Sequence, residues 1–138
     1  MAKTYKQIMD EARQVVPEVS PEEVQGRLKA GAQPVVLDVR EREEYRQGYL
    51  PGAVSVPRGF LEMRVEETVP DKTKPIVAYC AGGTRSLLAG RVLKELGYTN
   101  VVSMRGGFTA WKIQGLPITV DRQFTSEQQI RYSRHFLL

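Results

Sequence analysis

The two side chains that make most protein disulfides and zinc sites are almost missing: the chain has one cysteine, Cys80, and one histidine, His135. A single thiol cannot close an internal disulfide. One cysteine with one histidine cannot complete a four-ligand zinc site. Neither a metal nor another cofactor is expected. No apolar run approaches the roughly 20 residues that a membrane-spanning helix needs. The opening stretch MAKTYKQIMDEARQVV has no apolar core and no small-residue cleavage site, so no secretory signal is expected. These absences make the reducing cytoplasm the expected compartment.

Charge of one sign is not concentrated either. The 20 lysines and arginines are scattered among 16 acids, for a net charge of +4. Without a basic block, neither nucleic acid nor a membrane surface is an expected partner. The modest positive balance suits small anions or an acidic protein. With 41% hydrophobic residues, the 138-residue chain can build one core, burying roughly two thirds of its unfolded surface.

Along the chain, Ile8, Met9, Ala12, Val15 and Val16 lie near helical spacing, which predicts a helix over Thr4 to Val16. In PEVSPEEVQGRLKAG, Ser20 is the expected N-cap, Pro21 the first helical residue and Glu23 the return arm of a capping box, with Gly31 as the stop. PVVLDV (34–39) reads as a buried strand, EREEYRQG as a short helix ended by Gly48, and LPGAVSVP as a turn and brief strand. Leu61 to Val69 reads as an irregular helix, KPIVAYC as a second strong strand, and SLLAGRVLKELGY as a helix with Leu87, Leu88, Val92, Leu93 and Leu96 inward. VVSM is a third strand and GGFTAWKIQG a short helix introduced by glycines. Nearly all-apolar strands alternating with helices predict an α/β fold with a parallel sheet covered on both faces.

Ligands of such sheets bind at the carboxyl ends of the strands. AYCAGGTRS puts Cys80 at that end, before a helix expected to begin near Arg85 or Ser86. Gly82 and Gly83 allow positive φ or close approach to a ligand. A compact turn leading into a helix can aim several amides inward as an anion nest. The helix N-terminus adds about half a positive charge, and Arg85 adds a full charge with a fork of donors. Such surroundings favour a reactive thiolate. The alternative is that Cys80 is a small hydrophobe filling the end of a core strand.

VVLDVREREEYRQGYLPGAVSVP (35–57), IVAYCAGGTRS and GGFTAWKIQGLP (106–117), in that order, resemble the opening signature, active-site loop and closing signature of the rhodanese family. The resemblance implies a three-layer α/β domain over 20–120, with 1–19 as an N-terminal helical extension and 121–138 as a C-terminal tail, helical or docking. It implies a sulfurtransferase in which Cys80 takes the outer sulfur of thiosulfate or a protein persulfide, becomes a persulfide and passes the sulfur to a second nucleophile. Ala81, Gly82, Gly83, Thr84, Arg85 and Ser86 would form the loop that binds the persulfide. Asp38 would support that loop as a hydrogen-bond acceptor, with Arg40 as an ion-pair partner. Two positions depart from the family pattern: Tyr49 stands where many members have histidine, and Ala81 where many have arginine.

Some cysteine phosphatases share the fold, with five residues between cysteine and arginine. Here four, AGGT, separate Cys80 from Arg85, which favours a sulfur atom over phosphate. A non-catalytic rhodanese-like binding module is the third reading. Glu44, Tyr45, Gly106, Gly107, Phe108 and Trp111 read as scaffold, the aromatics covering the sheet edge, and His135 as a surface residue. The tail FTSEQQIRYSRHFLL (124–138) resembles the opening of adenylating enzymes that activate sulfur carriers, so a sulfur-carrier or adenylating-enzyme partner is an expectation.

Overall fold

Five short strands lie side by side in the order β1-β5-β4-β2-β3, and every adjacent pair is parallel. The structure, a computed structural model, describes residues 2–120. The expectations for the tail and His135 lie outside the described residues. The strands are β1 (Glu18–Val19), β2 (Val35–Asp38), β3 (Val54–Ser55), β4 (Ile76–Tyr79) and β5 (Val101–Met104). The helices are α1 (Tyr5–Val15), α2 (Pro21–Lys29), α3 (Arg42–Arg46), α4 (Leu61–Thr68), α5 (Thr84–Glu95) and α6 (Gly107–Ile113), with a 3-10 turn over Arg58–Phe60. β4 is the central strand, and the chain leaves its carboxyl end at Cys80.

Alternate residues of a strand point to opposite faces, and this parity sorts the core into two halves. Leu37, Val39, Ile76, Cys80 and Val101 face α4 and α5, where they meet Leu61, Val65, Ala89 and Leu93. Val36, Val77, Tyr79, Val102 and Met104 face the other way, against Val24 of α2 and Phe108 and Trp111 of α6. Each fully buried aliphatic or aromatic side chain contributes about 1.5–3 kcal/mol, so both halves are needed to offset the entropy of ordering a chain this short. Among the described residues no helix is long and apolar enough to cross a membrane.

The helix starts follow local chemistry. Thr4 caps α1 by accepting the Gln7 amide at 3.1 Å, while Gln7 Oε1 accepts the Thr4 amide at 2.8 Å. Ser20 caps α2 by accepting the Glu23 amide, but the Glu23 carboxylate does not turn back. It pairs with Arg27 one turn on, at 2.9 Å, so only half of the expected box forms. The helix after Cys80 begins at Thr84, a residue earlier than expected. Trp111 packs fully buried in the core and donates to the Pro117 carbonyl at 2.8 Å.

β1 is an element that the sequence reading assigned to no strand. Glu18 and Val19 pair with Ser103 and Met104 at the sheet edge. The preceding helix explains why they reach it. α1 lays Met9, Ala12 and Val16 on Leu87 of α5, which returns the chain to the sheet. Val15, expected on that face, is 47% exposed. The contact is close because position 90 carries no side chain: a Cβ there would sit 2.8 Å from Val16 Cγ1. Gly90→Ala is therefore expected to destabilise the fold by about 1–3 kcal/mol through overpacking. Val15→Ala should change it by less than about 0.5 kcal/mol. Urea denaturation of the two variants checks the contrast.

Candidate active site

Cys80 sits where β4 meets the turn into α5. It is 1% exposed and belongs to the aliphatic cluster under α4 and α5, so its packing is that of a core residue. Its sulfur nevertheless faces donors. The Gly83 amide points at Sγ from 3.0 Å and the Ser86 amide from 3.3 Å, and the thiol donates to Ser86 Oγ at 3.5 Å. Ser86 Oγ is fixed in turn by the Gly83 carbonyl at 3.2 Å and by Ser103 Oγ, on β5, at 2.7 Å.

The turn has this shape because of glycine. Gly83 has φ +106°, the left-handed region in which a side chain is strained, and it leads directly into α5. Gly82, expected to share that freedom, does not use it: it is exposed and lies outside the positive-φ set.

The loop is also held from behind. The Phe108 amide donates to the Cys80 carbonyl at 2.8 Å and the Thr109 amide to the Ala81 carbonyl at 3.1 Å. That approach requires Gly107, whose φ is +59° and where a Cβ would fall on the Cys80 carbonyl oxygen. The glycine pair of the closing motif, read in sequence as scaffold, is thus a direct support of the loop.

Asp38 and Arg40 meet on the opposite face of the sheet from the sulfur. Arg40 Nη2 reaches Asp38 Oδ2 at 2.7 Å and the Gly48 carbonyl at 2.7 Å, and its guanidinium lies 4.2 Å from the Phe108 ring centre. Tyr79, next to Cys80 in the chain, donates its hydroxyl to Asp38 at 2.6 Å and accepts the Leu50 amide at 3.2 Å. Burial, reinforced by the Asp38 carboxylate, pushes the Tyr79 phenol far above its ordinary range, so it remains a donor. This network pins the C-terminal end of β4 and the 48–50 turn. Tyr49, in the departing position, stacks on Tyr45 with centroids 4.0 Å apart and joins Thr119 through paired backbone bonds.

Arg85 hydrogen-bonds a carboxylate and not the sulfur, although Cys80 lies near enough to act on its charge. Its guanidinium takes the Glu44 carboxylate in two bonds, 3.0 and 3.2 Å. The hydrogen bond from Arg85 holds the Glu44 carboxyl below its ordinary range, and the same bond raises Arg85. Glu44 is the residue that the sequence reading placed in the scaffold and the structure places at the loop. Its only signal was local, a capping-box spacing from Glu41. Thr84 is exposed at the start of α5, and the loop residues hydrogen-bonded to the sulfur are Gly83 and Ser86. Among the described residues no group of three or more His, Cys, Asp or Glu is placed to hold a metal ion.

Two substitutions test these supports. Asp38→Asn leaves Arg40 buried without its countercharge and is expected to cost about 3–5 kcal/mol in denaturant unfolding. Gly107→Ala should cost at least about 2 kcal/mol, since both the φ and the Cys80 carbonyl oppose a Cβ. Gly82→Ala, with nothing within 4 Å of a Cβ, should shift the same midpoint by less than about 0.5 kcal/mol.

Comparison with known proteins agrees with this geometry. Residues 20–114 match the rhodanese-like domain family. A sulfurtransferase of Allochromatium vinosum is 36% identical over 104 residues, covering 75% of this chain and 95% of that protein. A thiosulfate sulfurtransferase of Escherichia coli is 37% identical over 70 residues, 51% of this chain and 67% of the relative. An adenylyltransferase and sulfurtransferase of Ogataea parapolymorpha is 37% identical over 87 residues, 63% of this chain but 22% of that longer protein. Among solved structures, a protein of unknown function from Rhodopseudomonas palustris, described as a possible tyrosine phosphatase, superposes with a TM-score of 0.76 at 34% identity, covering 86% of this chain and 96% of that one. The chain belongs to the rhodanese-like domain family.

Proposed function

We propose that the protein is a sulfurtransferase that carries sulfane sulfur on Cys80. The observation behind this reading is the pair of amides, from Gly83 and Ser86, aimed at one sulfur at the head of a 12-residue helix. An amide pair at a helix N-terminus stabilises negative charge on what it faces. With thiosulfate as donor, the Cys80 thiolate attacks the outer sulfur and forms a new S–S bond. The bond between the two thiosulfate sulfurs breaks, and sulfite leaves with the electron pair. Cys80 then holds a persulfide whose terminal sulfur bears the negative charge. A thiolate or cyanide takes that sulfur and restores the cysteine. Division into two nucleophilic steps is the usual gain from covalent catalysis.

Gly83 and Ser86 are the amides that touch the reacting sulfur in this reading. Ala81, Gly82 and Thr84 shape the mouth, Arg85 and Glu44 set its charge, and Asp38 and Arg40 hold the strand end. Because Cys80 is 1% exposed, a donor reaches the sulfur only through an opening of the turn that covers it. Gly82 is the open point of that turn. The reaction starts from a reduced thiol and regenerates it, which suits a reducing compartment. The relative that joins adenylyltransferase and sulfurtransferase activities supports a sulfur-transfer protein as partner.

The solved structure described as a possible tyrosine phosphatase favours a second reading, phosphoryl transfer through the same cysteine. Two features weigh against it. Four residues separate Cys80 from Arg85, a short span around a phosphoryl group, and the guanidinium is engaged by Glu44. Intact-mass measurement after incubation with thiosulfate or a persulfide separates the readings. Wild type should gain one sulfur atom, removable by cyanide, and Cys80→Ser should gain none. Turnover of an aryl phosphate that depends on Cys80, with no sulfur gained, would establish the phosphatase instead. Neither reaction would leave a binding module.

A further inference from the structure

Resting on the sulfurtransferase reading, we infer that Glu44 sets the donor class of the Cys80 site. By holding Arg85 it withdraws the loop's cation from small dianions and leaves the site suited to organic persulfides, R–S–SH.

The geometry supplies the reason. Arg85 belongs to α5, on one face of the sheet, and Glu44 to α3, beside the aromatic cluster of the other. Their two bonds, 3.0 and 3.2 Å, span the carboxyl edge of the sheet where Cys80 emerges. Glu44 is not free to swing away, because its Oε1 also accepts the Glu41 amide at 2.8 Å and is thereby tied to the start of α3. Both side chains are 36% exposed, so water does not erase the pairing as it does for a pair in open solvent. Glu41, itself acidic, adds its field to that of Glu44 around Arg85.

The neighbouring cation is spent as well. Arg40 is 4% exposed, and its guanidinium serves Asp38 and the Gly48 carbonyl. Ala81 brings no charge. The sulfur is thus hydrogen-bonded by two amides at the α5 terminus, about half a positive charge, and the charge of Arg85, which still interacts with Cys80, reaches it offset by Glu44. That suffices for the single negative charge of a thiolate or a persulfide. It is too little to gather a doubly charged donor around a sulfur that is itself negative. An organic persulfide in its neutral form avoids the conflict: the thiolate attacks its outer sulfur, the S–S bond breaks, and R–S⁻ leaves and takes up the proton, so that Cys80 keeps the persulfide anion.

The test compares two donors on the full chain, thiosulfate and cysteine persulfide, following sulfur gain on Cys80 by intact mass. Wild type should load faster from the persulfide. Glu44→Gln keeps the shape and removes the charge, and should raise the thiosulfate-to-persulfide rate ratio about tenfold, an increase that shrinks at high salt. Glu44→Asp, which keeps the charge, should stay near the wild-type ratio, a split that a merely structural role would not produce. Glu41→Gln leaves the ion pair intact and should move the ratio the same way by about twofold, so the question is answered even if Glu44→Gln does not fold. An unchanged ratio in both glutamine variants, with Cys80 still loading, overturns the role of Glu44. Failure of every chain to load from either donor overturns the sulfurtransferase reading, a separate result.

Discussion

The site depends on one close backbone approach, the Gly106–Gly107 turn lying against the carbonyls of Cys80 and Ala81. A tight loop has as many carbonyls as amides, and whichever set points inward decides the charge it can hold. Here two carbonyls are engaged from behind by the first amides of α6. The amides of Gly83 and Ser86 are left to face the sulfur. Without the partner turn, those carbonyls would seek water or the loop interior, and the interior would no longer favour an anion. The closing motif of the sequence therefore acts on the chemistry from 27 residues away, without a side chain taking part.

The second support comes from strand parity. Cys80 and Tyr79 are adjacent, so they point to opposite faces. One carries the sulfur, and the other anchors the strand through its hydroxyl to the buried Asp38–Arg40 pair. A buried ion pair does not in general stabilise a fold more than apolar packing of the same volume would, because desolvation offsets the attraction. Its value here is geometric. Arg40 bonds Asp38, the Gly48 carbonyl and the Phe108 face at once, so β2, the 48–50 turn and α6 share one reference point beneath the loop. The hydrophobic clusters supply the stability, and the polar network fixes the register of the parts.

How far the sequence revealed this depends on the range of each interaction. The three strong strands, the N-cap at Ser20 and the glycine turn after Cys80 were legible because apolar runs, capping residues and glycines act within a few positions. The role of Gly83 was legible too, though Gly82 was credited with the same freedom, since a glycine pair does not say which member takes positive φ. Glu18–Val19 was not legible as a strand, because two residues carry no period and their pairing depends on α1 first docking on α5. Nor was Glu44: it meets Arg85 across 41 positions, and no local pattern marks a contact made by two helices on opposite faces. Val15 was misplaced for the same reason, since a helical stripe shows which residues are apolar but not how wide a face the neighbour covers.

The charge of the molecule and the charge of its site lead in different directions. A net charge of +4 draws anions of every kind toward the surface, but that long-range field is screened within about 8–10 Å in physiological salt. Once a donor is inside that distance, only nearby groups count. On the sulfur's side Arg85 is matched by a carboxylate, and on the far face of the sheet Arg40 is matched by another. The amides that remain are partial charges with fixed direction, worth most to a compact anion held at a single point. In the proposed reaction a terminal sulfur on Cys80 would be such an anion, whereas thiosulfate carries its charge spread over several oxygens. Under the proposed reaction, the same arrangement that gathers anions at long range would favour, at contact, the intermediate over a dianionic donor, and the site would hold a sulfur without holding what delivered it.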